Sequence, residues 1–304
     1  MILTKEKIDS INITELIDNK IKNDSVRTLL IIVPTNRKLR QLKKTIISSY
    51  KNKPVTKINV ETLTTLTTKI NNFHKPFIPL SEAASSVFIK QAVEELELKY
   101  FAAYSSGVPF GTLDKIKNVI SEYKRHGISS NKLLEESNKL EGSEKSKAED
   151  IASIYELYNK KCQILSVEEL GDIYSDVLNL TMQDFTESFN NYFSTVETII
   201  LNEFDEFTSP EVKIINKLSE LSEKKVFLSF DYYNYNPSLF SHLDESYTKL
   251  EEYGFNRVVD SAPTDTSEFK SLVRSNLFQP KMNIKKSEKY KNNIHKIELQ
   301  NRIE

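Results

Sequence analysis

The sequence predicts an α/β fold: a mostly parallel sheet with helices on both faces, interrupted by a large all-helical insertion. Three observations lead there. Short apolar runs at 29–33, 58–60, 198–201 and 226–230 end in turn or polar residues and read as buried strands. A helical pattern at 210–221 separates the last two, and strand–helix–strand order marks parallel pairing. Between the two pairs, residues 81–190 show only the spacing of amphipathic helices.

Each element follows from its residues. Leu-Leu-Ile-Ile-Val at 29–33 is stopped by Pro34, and a helix is expected from Asn36 to about Tyr50, with Leu39, Leu42, Ile46 and Ile47 on one face. Ile58-Asn-Val60 leads into a Thr-rich helical segment that runs through Asn71. Ser81-Glu-Ala-Ala opens the first helix of the insertion; Leu113, Ile116, Val119, Ile120 and Tyr123 mark another. Ile151, Ile154, Tyr155, Tyr158 and Cys162 mark a third, so Cys162 reads as a buried hydrophobe and not a reactive thiol. A helix at 243–253 ends at Gly254, a C-cap. Then come a polar loop at 261–267, a short helix at 268–277, a Lys- and Asn-rich linker at 281–293 and a strand-like alternation at 294–299. A strand so placed is expected to belong to something longer. The expected organisation is therefore residues 1–80 and 191–280 as two parts of one α/β domain, 81–190 as the helical insertion, and 281–304 as the linker and start of a further domain.

Composition narrows the function classes. With 38% hydrophobic and 28% charged residues the chain has a globular balance. No apolar run approaches the ~20 residues of a membrane span, and the N-terminus lacks the pattern of a signal peptide. The single cysteine leaves no disulfide framework and no Cys-clustered metal site, and the four histidines lack metal-ligand spacing. A reducing cytoplasm is the expected setting, with no membrane partner. The formal net charge of −1 supplies no global basic field, so contact with nucleic acid must come from local patches.

Four segments carry chemistry. After the first strand comes Pro34-Thr-Asn-Arg-Lys-Leu-Arg-Gln-Leu42, and after the second Thr62-Leu-Thr-Thr-Leu66. Ile200-Leu-Asn-Glu-Phe-Asp-Glu-Phe207 forms the third strand and its exit, and the strand at 226–230 is the fourth. Their order resembles motif Ia, the Thr-rich segment after it, motif II and motif III of superfamily 1 DNA helicases, with the insertion where those proteins carry a helical subdomain. Within that superfamily the chain resembles the N-terminal region of AddB-type helicase–nuclease subunits of bacterial double-strand-break repair. Further residues that carry this are Phe110-Gly-Thr-Leu-Asp-Lys-Ile116, Ser121-Glu-Tyr-Lys-Arg-His-Gly-Ile128, Lys147-Ala-Glu-Asp-Ile-Ala-Ser-Ile-Tyr-Glu-Leu-Tyr158 and Asn202 through Glu211. The resemblance spans about 29–254 and implies a P-loop-NTPase-like (RecA-like) sheet. It also implies a role on DNA, a partner motor subunit and a nuclease domain far C-terminal.

Departures from the helicase pattern remove the motor. A P-loop needs glycines so that backbone amides can close around phosphate, then Lys and Ser or Thr. Here the first glycine is Gly107, and Gly142-Ser-Glu-Lys-Ser146 follows no strand. Asn202 stands where motif II has its Mg²⁺-holding aspartate, and a neutral amide supplies no charge for a hard dication. Glu203, Asp205 and Glu206 complete this degenerate motif II, which reads either as a solvated acidic loop or as a retained contact. No catalytic residue, cofactor or metal is expected. For binding single-stranded DNA, weakly, the candidates are Thr35, Asn36, Arg37, Arg40, Thr62 and Thr64. Arg37, Lys38, Arg40, Lys43 and Lys44 put five cations at a helix start, which is either a solvated face or a phosphate site. Lys124, Arg125 and His126 form a second, weaker patch. The competing reading is a protein–protein interaction domain of the same complex without direct DNA contact.

Overall fold

The computed structural model describes residues 1–50, 57–104, 107–230, 232 and 237–261, with Phe269, Asn276 and Gln279 beyond them. The sequence-expected helix at 268–277 lies largely outside the described residues, and the linker at 281–293 and strand at 294–299 lie wholly outside.

In chain order the elements are β1 (Ile2–Thr4), β2 (Ser10–Ile11), α1 (Ile13–Lys22), β3 (Leu29–Ile32), α2 (Asn36–Ser49), β4 (Asn59–Glu61) and α3 (Leu63–His74). The helical stretch follows: β5 (Ile78–Pro79), α4 (Glu82–Glu95), α5 (Phe110–Arg125), α6 (Ser130–Ser137), α7 (Gly142–Ile164), β6 (Val167–Glu168), α8 (Leu170–Asn179) and α9 (Met182–Phe193). The chain then returns through β7 (Thr198–Phe204), α10 (Ser209–Ser219), β8 (Lys225–Phe230), α11 (Pro237–Phe240), α12 (Asp244–Glu252) and β9 (Asn256–Asp260).

The main sheet has seven strands in the order β2-β9-β1-β8-β7-β3-β4. β8, β7, β3 and β4 pair parallel, as expected, and so do β2 and β9. Two points depart from the sequence expectation. β1, β2 and β9 extend the sheet, and β1, central between β9 and β8, runs antiparallel to both. β1 and β2, of three and two residues, and β9, with one buried position in five, carry too little apolar periodicity to be read locally; pairing makes them strands. Within the helical stretch, Val167–Glu168 pairs with Ile78–Pro79 as a two-residue ladder, where no strand was expected.

Helices cover both faces. α1 and α2 lie on one, where Leu29, Ile31, Val33, Ile46, Val60 and Ile200 form a core. On the other, α3, α8, α9, α10 and α12 bury Leu66, Ile70, Val177, Phe189, Ile214 and Leu250 against Leu30, Ile199 and Leu228. Alternation along β3 and β7 sends successive side chains to opposite cores, as a strand buried on both faces must. α4, α5 and α7 close a third core containing Ile89, Ile116, Ile120, Ile154, Tyr158 and Cys162. Ile47 was expected on the apolar face of α2 but is 56% exposed, because the sheet covers only the stripe of Leu39, Leu42 and Ile46. Gly254 ends α12 at φ +87°, its N–H donating to the Glu251 carbonyl at 2.8 Å while Phe255 N–H reaches Leu250 O at 3.0 Å. That is the expected C-cap.

Candidate nucleic-acid interface

Because β3, β4, β7 and β8 are parallel, their C-terminal ends open on one edge, where open α/β sheets bind ligands. The three candidate segments therefore meet there. β3 and β4 are neighbours, and Val33 N–H donates to the Glu61 carbonyl at 2.9 Å just before both strands turn into helices.

Two helix N-termini stand side by side on this edge. At α2, Thr35 is the N-cap: its hydroxyl oxygen accepts from Lys38 N–H at 3.2 Å. At α3, Thr62 accepts from Thr65 N–H at 3.1 Å while Thr65 Oγ1 accepts from Thr62 N–H at 2.9 Å, a reciprocal cap. These caps satisfy one first-turn donor in each helix; the main-chain N–H groups of Asn36, Arg37, Leu63 and Thr64 have no partner among the described residues. Such donors, with the helix dipole behind them, attract anions.

Around these termini, Thr35, Asn36, Arg37, Arg40 and Thr64 are exposed. Among the described residues, neither Arg37 nor Arg40 has an ion-pair partner. Thr62 is different: it is 5% exposed, and its hydroxyl is committed to the cap. Beneath it Glu61, the last residue of β4, accepts from Thr65 Oγ1 at 2.6 Å and pairs with Lys69 at 2.5 Å, fixing the first turns of α3. Glu61 was not among the sequence-derived candidates. Thr65 and Lys69, four apart on one face of α3, mark the helix side that Glu61 meets from the end of β4.

The segment 200–207, which resembles a degenerate motif II, sits on the adjoining strand. Between Leu201 and Phe204, β7 takes one residue more than β8, a bulge that places Glu203 at φ +60°. A left-handed backbone at a residue with Cβ costs about 1–2 kcal/mol, so tertiary contacts must hold it. One is visible: Lys38 Nζ lies 2.9 Å from Glu203 Oε2 and donates to its carbonyl at 3.3 Å. The acidic loop after β7 and the basic helix thus touch through Lys38, which the sequence places in the basic cluster but not among the DNA-binding candidates. Asn202 is half-buried, while Asp205 and Glu206 are exposed. Phe204 stacks on Phe207 at 4.8 Å between centroids and Phe207 lies tilted against Phe230 at 5.4 Å, so the acidic loop carries an apolar cluster beside it.

The second basic patch divides. Lys124 is buried, with Nζ 2.7 Å from Asp172 and 3.2 Å from Glu169. Burial pulls its pKa down, but the two carboxylates outweigh it and leave it raised. Arg125 and His126 remain exposed, with His126 Nε2 3.2 Å from Glu122. Helical periodicity explains the split, since α5 turns Lys124 inward with Ile116 and Ile120 while its neighbours face solvent. No group of three or more His, Cys, Asp or Glu among the described residues could hold a metal ion, and no described helix is long and apolar enough to cross a membrane.

The class this defines is a mixed α/β domain with a mostly parallel seven-stranded sheet, a helical block spliced in after the second parallel strand, and candidate ligand segments on the carboxyl edge. Residues 9–278 match the family model described as ADDB, N-terminal, and the chain belongs to that family, the N-terminal region of AddB-type subunits of multi-subunit DNA-repair complexes. No curated protein matches it.

Proposed function

We propose that this chain is a helicase-like module that no longer hydrolyses nucleotide and that holds single-stranded DNA by its phosphates at the carboxyl edge of a RecA-like sheet. The observation that carries the reading is the pair of open helix N-termini on adjacent parallel strands, flanked by Arg37 and Arg40 with no carboxylate partner among the described residues. Backbone N–H groups, short hydroxyl and amide side chains and guanidinium groups are the donors that phosphate backbones use. Thr35 can still donate its hydroxyl proton after accepting from Lys38, so Thr35, Asn36, Arg37, Arg40 and Thr64 make the contacts and Thr62 orients α3.

Three features argue against a motor. No glycine precedes Gly107, Asn202 replaces the metal carboxylate, and the central strand β1 runs antiparallel, so its exit lies at the opposite edge. A phosphate loop must leave the carboxyl edge with its neighbours. Chemistry then falls to a downstream nuclease and a partner motor subunit, in the cytoplasm. The competing protein-interaction reading draws on exposed Asp205 and Glu206, which repel phosphate on that side of the edge.

Fluorescence anisotropy with labelled oligo-dT across a salt series tests the reading. Each neutralised phosphate contributes about −0.7 to the log–log slope for a single strand, so Arg37→Ala with Arg40→Ala removes about one to one and a half units. The loss is the same on mixed sequences, because phosphate contacts position without specifying. An unchanged slope and affinity in the double variant leaves the basic helix a solvated face.

A further inference from the structure

The helical block reaches the same edge from the other side. Gly127, in the turn after α5, packs so closely on α10 that a Cβ there would lie 3.0 Å from Pro210 Cγ, and Pro210 stands in the first turn of α10 directly after the motif II loop. Tyr174 of α8 donates its hydroxyl to Glu211 Oε1 at 3.2 Å, and Glu211 in turn accepts from Thr208 N–H and Oγ1 at 2.8 and 3.0 Å. That hydroxyl also lies beside Thr64 at the α3 N-terminus and within reach of the Arg125 charge; its pKa is raised, first by burial and then by Glu211, while Thr64 and Arg125 oppose the rise. A helix turn of the insertion, the α10 cap and the α3 N-terminus are therefore one junction.

Arg125 is exposed at this junction and has no ion-pair partner among the described residues. The charges around it are otherwise engaged: Lys124 by Asp172 and Glu169, Glu122 by His126, and Glu211 by three donors. We propose that Arg125 is a third phosphate-binding cation of the same strand track, so that single-stranded DNA runs from Arg37 and Arg40 past the α3 N-terminus to the helical block. This rests on the reading above and adds that the insertion is part of the binding surface. The Gly127–Pro210 contact, two residues along the chain from Arg125, and the Tyr174–Glu211 bond join this turn of the insertion to the α10 N-terminus.

The test uses the full 304-residue chain, labelled dT20 and a salt series. Arg125→Ala and Arg125→Gln should each weaken binding about fivefold at low salt and reduce the slope by about 0.7, the share of one phosphate. Lys90→Ala, which removes an α4 surface cation paired with Glu94, should change neither. Unchanged melting temperatures show that the fold is intact, as expected for an exposed side chain. If Arg37→Ala with Arg40→Ala lowers the slope and Arg125→Ala does not, the third contact is wrong and the edge reading stands. If none of the three arginines matters, both are wrong. If Arg125 alone matters, the shared track is overturned.

Discussion

Gly171 offers a prediction whose sign depends on two opposed effects. It is the second residue of α8, where that helix crosses α5. A Cβ at Gly171 would stand 2.5 Å from both the carbonyl carbon and the Cβ of Lys124, and 2.6 Å from its carbonyl oxygen. Carbon–carbon contacts settle at about 3.5–4 Å, so α5 must retreat by about 1 Å, and no rotamer change relieves a clash with backbone. Helix propensity favours Ala over Gly by at most about 1 kcal/mol, and less in a first turn. Overpacking alone costs about 1–3 kcal/mol. Separation of the helices also stretches the contacts of buried Lys124 to Asp172 and Glu169, and breaking a buried pair outright costs about 3–5 kcal/mol. Steric strain therefore wins, and Gly171→Ala should destabilise by about 2–4 kcal/mol, lowering Tm by roughly 5–15 °C at 2–4 °C per kcal/mol. Thermal melts followed by circular dichroism measure it. A variant that melts at or above the parent temperature refutes the close-packed crossing, since only propensity would then remain.

Lys217 of α10 is 8% exposed and donates to the carbonyls of Val177 at 3.2 Å, Leu178 at 3.0 Å and Leu180, so it caps the end of α8. Lys217→Met strands those carbonyls at about 1–3 kcal/mol each, partly offset by no longer burying an ammonium, and the urea midpoint should fall by the equivalent of about 2 kcal/mol at constant m; an unchanged midpoint contradicts the cap. Burial pushes the Cys162 thiol up to about 11, leaving about one thiolate in a thousand at pH 8. Ellman's reagent should accordingly label the urea-unfolded chain at once and the native chain only through unfolding, and rapid native labelling would show the site to be open. On the proposed loss of the phosphate loop and the metal carboxylate, isothermal titration with ATP and Mg²⁺ should give no binding heat; a micromolar Kd contradicts this.

The sequence by itself determined the elements whose periodicity is long or whose composition is unambiguous. The runs at 29–33 and 226–230 could only be buried strands, and the stripe of Ile151, Ile154, Tyr155, Tyr158 and Cys162 could only face a core. The expectation that a nucleotide site is missing is likewise read from local positions, because a phosphate loop requires glycine and a metal requires charge at particular places. Tertiary structure decided what depends on partners distant in sequence. β1 is too short and β9 too exposed, with only Val258 buried, to declare themselves, and each is a strand because it pairs with segments more than two hundred residues away. Lys124 and Arg125 are adjacent cations in the sequence, yet one is buried between two carboxylates and the other faces solvent, since the packing of α8 on α5 selects which side of the helix is covered. Likewise Lys38 and Glu203 are 165 residues apart and meet only because β3 and β7 are parallel neighbours, which brings every strand exit to one edge of the sheet.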